Sequence, residues 1–305
     1  MLKDLRGQKI NNRRVNMNQK KMTFYELKQA IHSSELASIK TVLLELIRLI
    51  NDPSASAKQL KDLVEVDPPL SSRILRLANS AYYGMARRIT DIQEAIIWIG
   101  FDTVKQISIS MKALELFLGN ELDIFFSRDK LWRFSVASAL TSKLIYRREF
   151  KELGNDIYSI ALLHNIGHIM IEQFIPDDFR KNLMSYRSGV KNLIEIEQNI
   201  LGFDHAILAS ELMKEWDFHE NIYLSIRFHH QPQLAPAHVR REATILYIVD
   251  QLCTRYDFGF SDIKNSNKFA FTSAIDAYNL QEIALDNIMT TVKKDMRKME
   301  QLGWF

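Results

Sequence analysis

Cysteine occurs once in 305 residues, glycine ten times and proline six times. The lone thiol, Cys253, cannot form an internal disulfide, which points to a reducing compartment such as the cytoplasm. So few breakers argue against an all-β fold and for long helices with short connections. No apolar run approaches the ~20 residues that span a bilayer. The N-terminal stretch MLKDLRGQKINNRRVNMNQKK has no apolar core of the kind a signal peptide needs.

What is present is an ordinary soluble balance, 47% hydrophobic and 25% charged residues, in a chain long enough for one large domain or two modest ones. The net charge of +3 is uneven. Residues 1–21 hold Lys3, Arg6, Lys9, Arg13, Arg14, Lys20 and Lys21 against the single acid Asp4, so the rest of the chain is slightly acidic. Nucleic-acid binding wants a basic face on the folded body, and this distribution speaks against it. The basic tail itself reads as disordered.

Helix signals begin at Thr23. Thr23 with Glu26, Ser56 with Gln59, and Asp91 with Glu94 have capping-box spacing. Asp67 suits an N-cap with Pro68 at the first helical position. Apolar residues from Ile39 to Ile50 recur at helical spacing until NDP stops them. Further helices are predicted over 102–118, 130–148, 156–173, 177–187, 190–201, 204–216, 219–229, 237–256, 270–278 and 281–301. The segment 121–130 is the candidate junction between lobes, and 259–268 is the most loop-like interior stretch. Strand alternation is absent over any useful length, so the expected fold is all-α. Within it Asn79 is expected to make a buried hydrogen bond that joins helices.

Five histidines and one acid carry what chemistry the sequence suggests. His164 and His168 stand four apart in LLHNIGHIM, on one face of the predicted helix. That is the spacing of a zinc-protease motif, but Asn165 replaces the glutamate that would act as general base, and an amide cannot accept a proton. His168 is accordingly read as a polar residue at a lobe surface. His205 follows Asp204 at a helix start, and His229 and His230 form a pair that could equally mark an exposed helix end. Asp250 is a lone acid in the apolar pattern YIVDQL. Imidazole and carboxylate on neighbouring helices suit a divalent iron, zinc or manganese ion.

The order H-N, H, H-H, D on successive helices resembles the HD superfamily of metal-dependent phosphohydrolases. More specifically, the chain resembles the HDOD family, the HD-related output domains of bacterial signalling proteins. DPPLSSRILRLANSAYYG (67–84), ITDIQEAIIWIGFDTVKQISIS (89–110), ALLHNIGHIMI (161–171), GFDHAILASELMKEWDF (202–218) and IRFHHQP (226–232) carry that resemblance. It implies a helical N-terminal lobe (22–122) packed on a degenerate HD-like lobe (123–257), with a C-terminal extension (258–305) after them. It also implies a regulatory, non-hydrolytic role in the bacterial cytoplasm. No receiver, GGDEF or EAL domain fits in the remaining length, so a stand-alone member is expected.

Carried over position by position, the resemblance leaves the first metal histidine missing. The stretch LWRFSVASAL has none, and Phe134 takes its place. Asn165 replaces the aspartate that would bridge two ions, and His168 stands where hydrolytic members often have lysine. His164, His205, His229, His230 and Asp250 match remaining ligand positions. An aspartate gives a dication a full negative charge, and its loss costs kilocalories even at an effective dielectric of ~20. Two metals are therefore not expected, although one divalent ion remains possible. The expected role is binding, of a signalling protein or of a nucleotide in the former active cleft. The alternative is a mononuclear HD phosphohydrolase. Tyr82, Tyr83, Arg87 and Arg88 are the candidate interface, against the simpler reading that the tyrosines pack a turn and the arginines are solvated. No membrane association is expected.

Overall fold

A computed structural model describes residues 22–34, 36–80, 83–119, 126–189, 191–260 and 267–301. Among them every regular element is helical. The order is α1 (Phe24–His32), α2 (Leu36–Asn51), α3 (Ala57–Glu65), α4 (Pro68–Ala78), α5 (Ile92–Ile99), α6 (Phe101–Phe117), α7 (Arg128–Ile145), α8 (Asn155–Leu163), α9 (Ile166–Phe174) and α10 (Pro176–Ser188). Then come α11 (Leu193–Leu201), α12 (His205–Glu215), α13 (Glu220–Arg227), α14 (Arg240–Arg255), α15 (Lys268–Asp276) and α16 (Glu282–Gln301). The basic segment 1–21 and half of the expected junction, 121–125, lie outside the described residues. No helix among the described residues is long and apolar enough to cross a membrane.

Local chemistry sets many of the boundaries. Thr23 and Ser56 make complete capping boxes with Glu26 and Gln59, and Asp67 caps α4 through the Leu70 amide. Gly202 closes α11 with φ 84°, a left-handed conformation that costs glycine little, and Asp204 then caps α12. Asn79 departs from expectation. It lies exposed at the C-cap of α4, with its amide donating to the carbonyls of Leu75 and Ile89 and its oxygen accepting from the Ile89 amide. It therefore folds the segment before α5 back onto the end of α4 rather than joining two helices.

One apolar core runs from Leu27 to Met296. Its axis is α7, which lies against α8, α14 and α16 and buries nearly every residue from Leu131 to Ile145. Arg128, at the start of α7, forms an ion pair with Glu172 of α9 and donates to the Leu118 carbonyl beyond α6. The three elements are thereby tied at a buried point. α2 packs on α6, while α12 packs on α13 and α9.

The predicted helix over 156–173 is in fact two, broken at His164–Asn165. The His164 side chain supplies the reason. Its Nδ1 donates to the Ala161 carbonyl at 2.6 Å, and a side-chain bond to the backbone competes with the helical ladder there. His164 and His168 consequently sit on different helical segments rather than on one face.

Candidate metal and ligand site

The break in LLHNIGH delivers its side chains into a buried polar cluster. His164 caps α8, and its ring, fixed by the Nδ1–Ala161 bond, turns Nε2 inward, 3.4 Å from Asp250 Oδ1 on α14. His229 repeats the device just beyond α13, with Nδ1 donating to the Ile226 carbonyl at 2.6 Å. Its buried Nε2 has no hydrogen-bond partner. A ring nitrogen held by a backbone carbonyl while its opposite number keeps a lone pair inward is how metal-binding histidines are oriented.

His205 opens α12 and donates from Nδ1 to Glu197 of α11 at 2.8 Å, with its backbone amide on the same oxygen at 3.0 Å. The other Glu197 oxygen lies 3.3 Å from His168 Nδ1. His168 is therefore not at a surface. It is fully buried, with its ring stacked on His205 at 3.8 Å between centroids. Gly167 makes this approach possible, since a Cβ there would stand 2.0 Å from the His205 carbonyl oxygen. His230 Nε2 lies 3.1 Å from His205 Nε2, and His229 is buried rather than exposed at a helix end.

Electrostatics fit the burial. Burial works against ionisation of Glu197, but the charges and hydrogen bonds of His205 and His168 outweigh it and hold the carboxyl at about 2. Burial, then the neighbouring His230, His164 and His205, pushes His229 well below its ordinary value, so its imidazole is neutral.

The five expected ligands lie close together but divide into two groups. His205, His229 and His230 offer ring nitrogens all within 4.8 Å of one another. Nitrogens that share an ion at ~2.1 Å stand roughly 3 Å apart, so the spacing of His205 and His230 suits such a site. His164 and Asp250 form the second group, joined to the first where the His164 and His229 rings meet at 5.1 Å. The donor set thus fits one imidazole-bound ion, with Glu197 orienting His205 from behind. His168, Glu197 and His205 form a second buried group within ligand distance of one another, sharing His205 with the first. Asn165 places a neutral, buried oxygen without a hydrogen-bond partner beside His164, and the Phe134 ring lies 6.3 Å from the His164 ring.

Glu197 went unread in the sequence, yet a signal existed. Leu193, Ile196 and Glu197 form one buried i, i+3, i+4 stripe of α11, with the acid at a core position. Of the candidate interface, Tyr82 lies outside the described residues and Tyr83 is half-buried against the core. Arg88 is exposed, and the equally exposed Arg87 pairs with Glu94 at 2.6 Å.

The chain is thus an all-helical protein that gathers buried histidines and acids able to hold a metal ion. The HDOD domain family model matches residues 36–232, and the chain belongs to that family. Its fold is similar to an HDOD domain protein of unknown function from Geobacter sulfurreducens, with TM-score 0.75 and 23% identity, covering 90% of this chain and 97% of that one. A Marinobacter aquaeolei VT8 protein, provisionally described as a signal transduction protein, matches with TM-score 0.73 and 22% identity over 87% of this chain and 58% of its own. A Shewanella amazonensis SB2B protein, provisionally described as a phosphohydrolase, matches with TM-score 0.64 and 20% identity over 87% and 91%. In sequence, an uncharacterised protein of Treponema pallidum (strain Nichols) is 25% identical over 205 residues, 66% of this chain. The chain spans 39% of that relative's length.

Proposed function

We propose that this HDOD protein is a cytoplasmic bacterial regulator that acts by binding a signalling protein or a nucleotide and does not hydrolyse phosphate esters. The observation that carries the reading is the pair of residues at the altered HD positions. Asn165 brings no charge to the cluster, and Phe134 brings no donor atom. Two-metal hydrolysis of a phosphodiester needs both ions to hold the attacking and leaving oxygens, and this residue set supports one ion.

A second reading, a mononuclear phosphohydrolase, is favoured by the cluster of His205, His229 and His230. An ion held there would supply Lewis acidity. The chain's own contribution would be orientation, through Glu197 on His205 and the Ile226 carbonyl on His229. Turnover of bis(p-nitrophenyl) phosphate and of cyclic dinucleotides, with manganese or iron(II) added, separates the two. The binding reading expects no rate above the metal blank. A rate that disappears in His205→Ala establishes the hydrolase instead.

A further inference from the structure

Beside the histidine cluster, and opening to solvent, lies a cleft of about 540 Å³, a size typical of small-molecule sites. One wall is α14, which presents Arg240, Tyr247 and Gln251 along a single stripe. The other is α15, which lies beyond the stretch matched by the family model and contributes Phe269 and Ser273. His230 lines the cleft as well, so one member of the histidine cluster forms part of its floor.

Three features of the walls define a ligand. Gln251 is 7% exposed, and its Oε1 is buried with no hydrogen-bond partner. A buried polar atom left unsatisfied costs free energy comparable to a lost hydrogen bond, and a ligand donor there would recover it. Phe269 is 82% exposed at the cleft, which leaves its ring open for a flat aromatic group to stack on. Arg240 is held in place by two bonds from Nε and Nη2 to the Ala235 carbonyl, at 3.2 and 3.0 Å, which leaves Nη1 for an anion.

We propose that this cleft binds an adenine nucleotide. A glutamine amide presents an acceptor and a donor side by side. Adenine offers the complementary pair, its N6 amino group as donor and N7 as acceptor, whereas guanine offers two acceptors at the same edge. Gln251 reads that edge, the base stacks on Phe269, and Arg240 takes the phosphate. Gln251 and Arg240 are separated by ~16 Å of helical rise, and since both side chains lean toward the N-terminus that spacing is retained, so the nucleotide lies extended along α14. Contact with His230 carries occupancy of the cleft to the histidine cluster. The proposal rests on the binding role set out above and narrows its nucleotide arm.

Isothermal titration of the full chain with AMP and with GMP tests it. AMP binds saturably, and GMP binds roughly tenfold more weakly because Oε1 stays unpaired. Gln251→Leu lowers AMP affinity by a similar factor, and Ser273→Trp, at an exposed position in the cleft wall, abolishes binding while thermal unfolding confirms a folded protein. Absence of AMP binding at millimolar concentration overturns the proposal, as do equal affinities for the two nucleotides or undiminished binding to Ser273→Trp. Phosphodiester turnover would instead sink the non-hydrolytic reading and leave the cleft assignment standing.

Discussion

Substitution of Gly167 by alanine sets two opposed effects against each other. Gly167 lies in the first turn of α9, and alanine is intrinsically favoured there by ~1 kcal/mol. Packing opposes the change. The new Cβ would stand 2.0 Å from the His205 carbonyl oxygen, 2.7 Å from its carbon and 2.9 Å from its Cα, all of them backbone atoms. Ordinary contact begins near 3.4 Å, so α9 and the start of α12 must separate by roughly 1.4 Å. No flexible side chain absorbs that shift, and His168 and His205 must unstack. Overpacking of a rigid site costs ~3 kcal/mol, the upper end of the usual range. The net loss is therefore about 2 kcal/mol, which lowers Tm by roughly 3 °C in a chain of this size. Thermal unfolding followed by circular dichroism reads the shift directly. A Tm equal to or above that of the parent protein would refute the close approach of α9 to α12.

Further outcomes follow from the buried charges. Arg128→Met strands Glu172, which is fully buried, and should destabilise by ~3–5 kcal/mol in chemical denaturation. Adding Glu172→Leu should recover much of the loss, and a double variant as unstable as the single one would contradict the pairing. Lys143 is 5% exposed, and burial, assisted by the charge of Arg147, lowers its pKa to about 8. A lysine depressed from 10.5 in the folded state destabilises that state fully below pH 8, and the penalty fades as pH rises toward 10.5. Lys143→Met should thus raise Tm at pH 7 and raise it less at pH 10; a pH-independent effect would exclude this cause.

The parts of the fold legible in the sequence are those decided locally. Thr23, Ser56, Asp67 and Asp204 announce helix starts because an N-cap needs only its own side chain and an amide two or three residues on. The break after Leu163 was not legible, because periodicity continues through it and the cause is one imidazole bonded to one carbonyl. For the same reason His168 reads as a surface residue. Its neighbours, Glu197 and His205, come from α11 and α12, and only tertiary packing brings them to α9. The site histidines were visible as residues, but their division into an imidazole trio and a His164–Asp250 pair depends on how α8, α13 and α14 meet. Gln251 gives no signal at all in sequence, since its unpaired oxygen exists only once α14 is buried.

The proposed non-hydrolytic role requires that the histidine cluster hold at most one ion. Metal content of the full chain, purified without chelator or histidine tag and measured by plasma mass spectrometry, tests it most directly. The account predicts at most about one equivalent of iron, zinc or manganese, lost in His229→Ala, because Asn165 and Phe134 bring no charged ligand for a second ion. About two equivalents, both lost in His205→Ala, would contradict it and restore a binuclear hydrolytic centre.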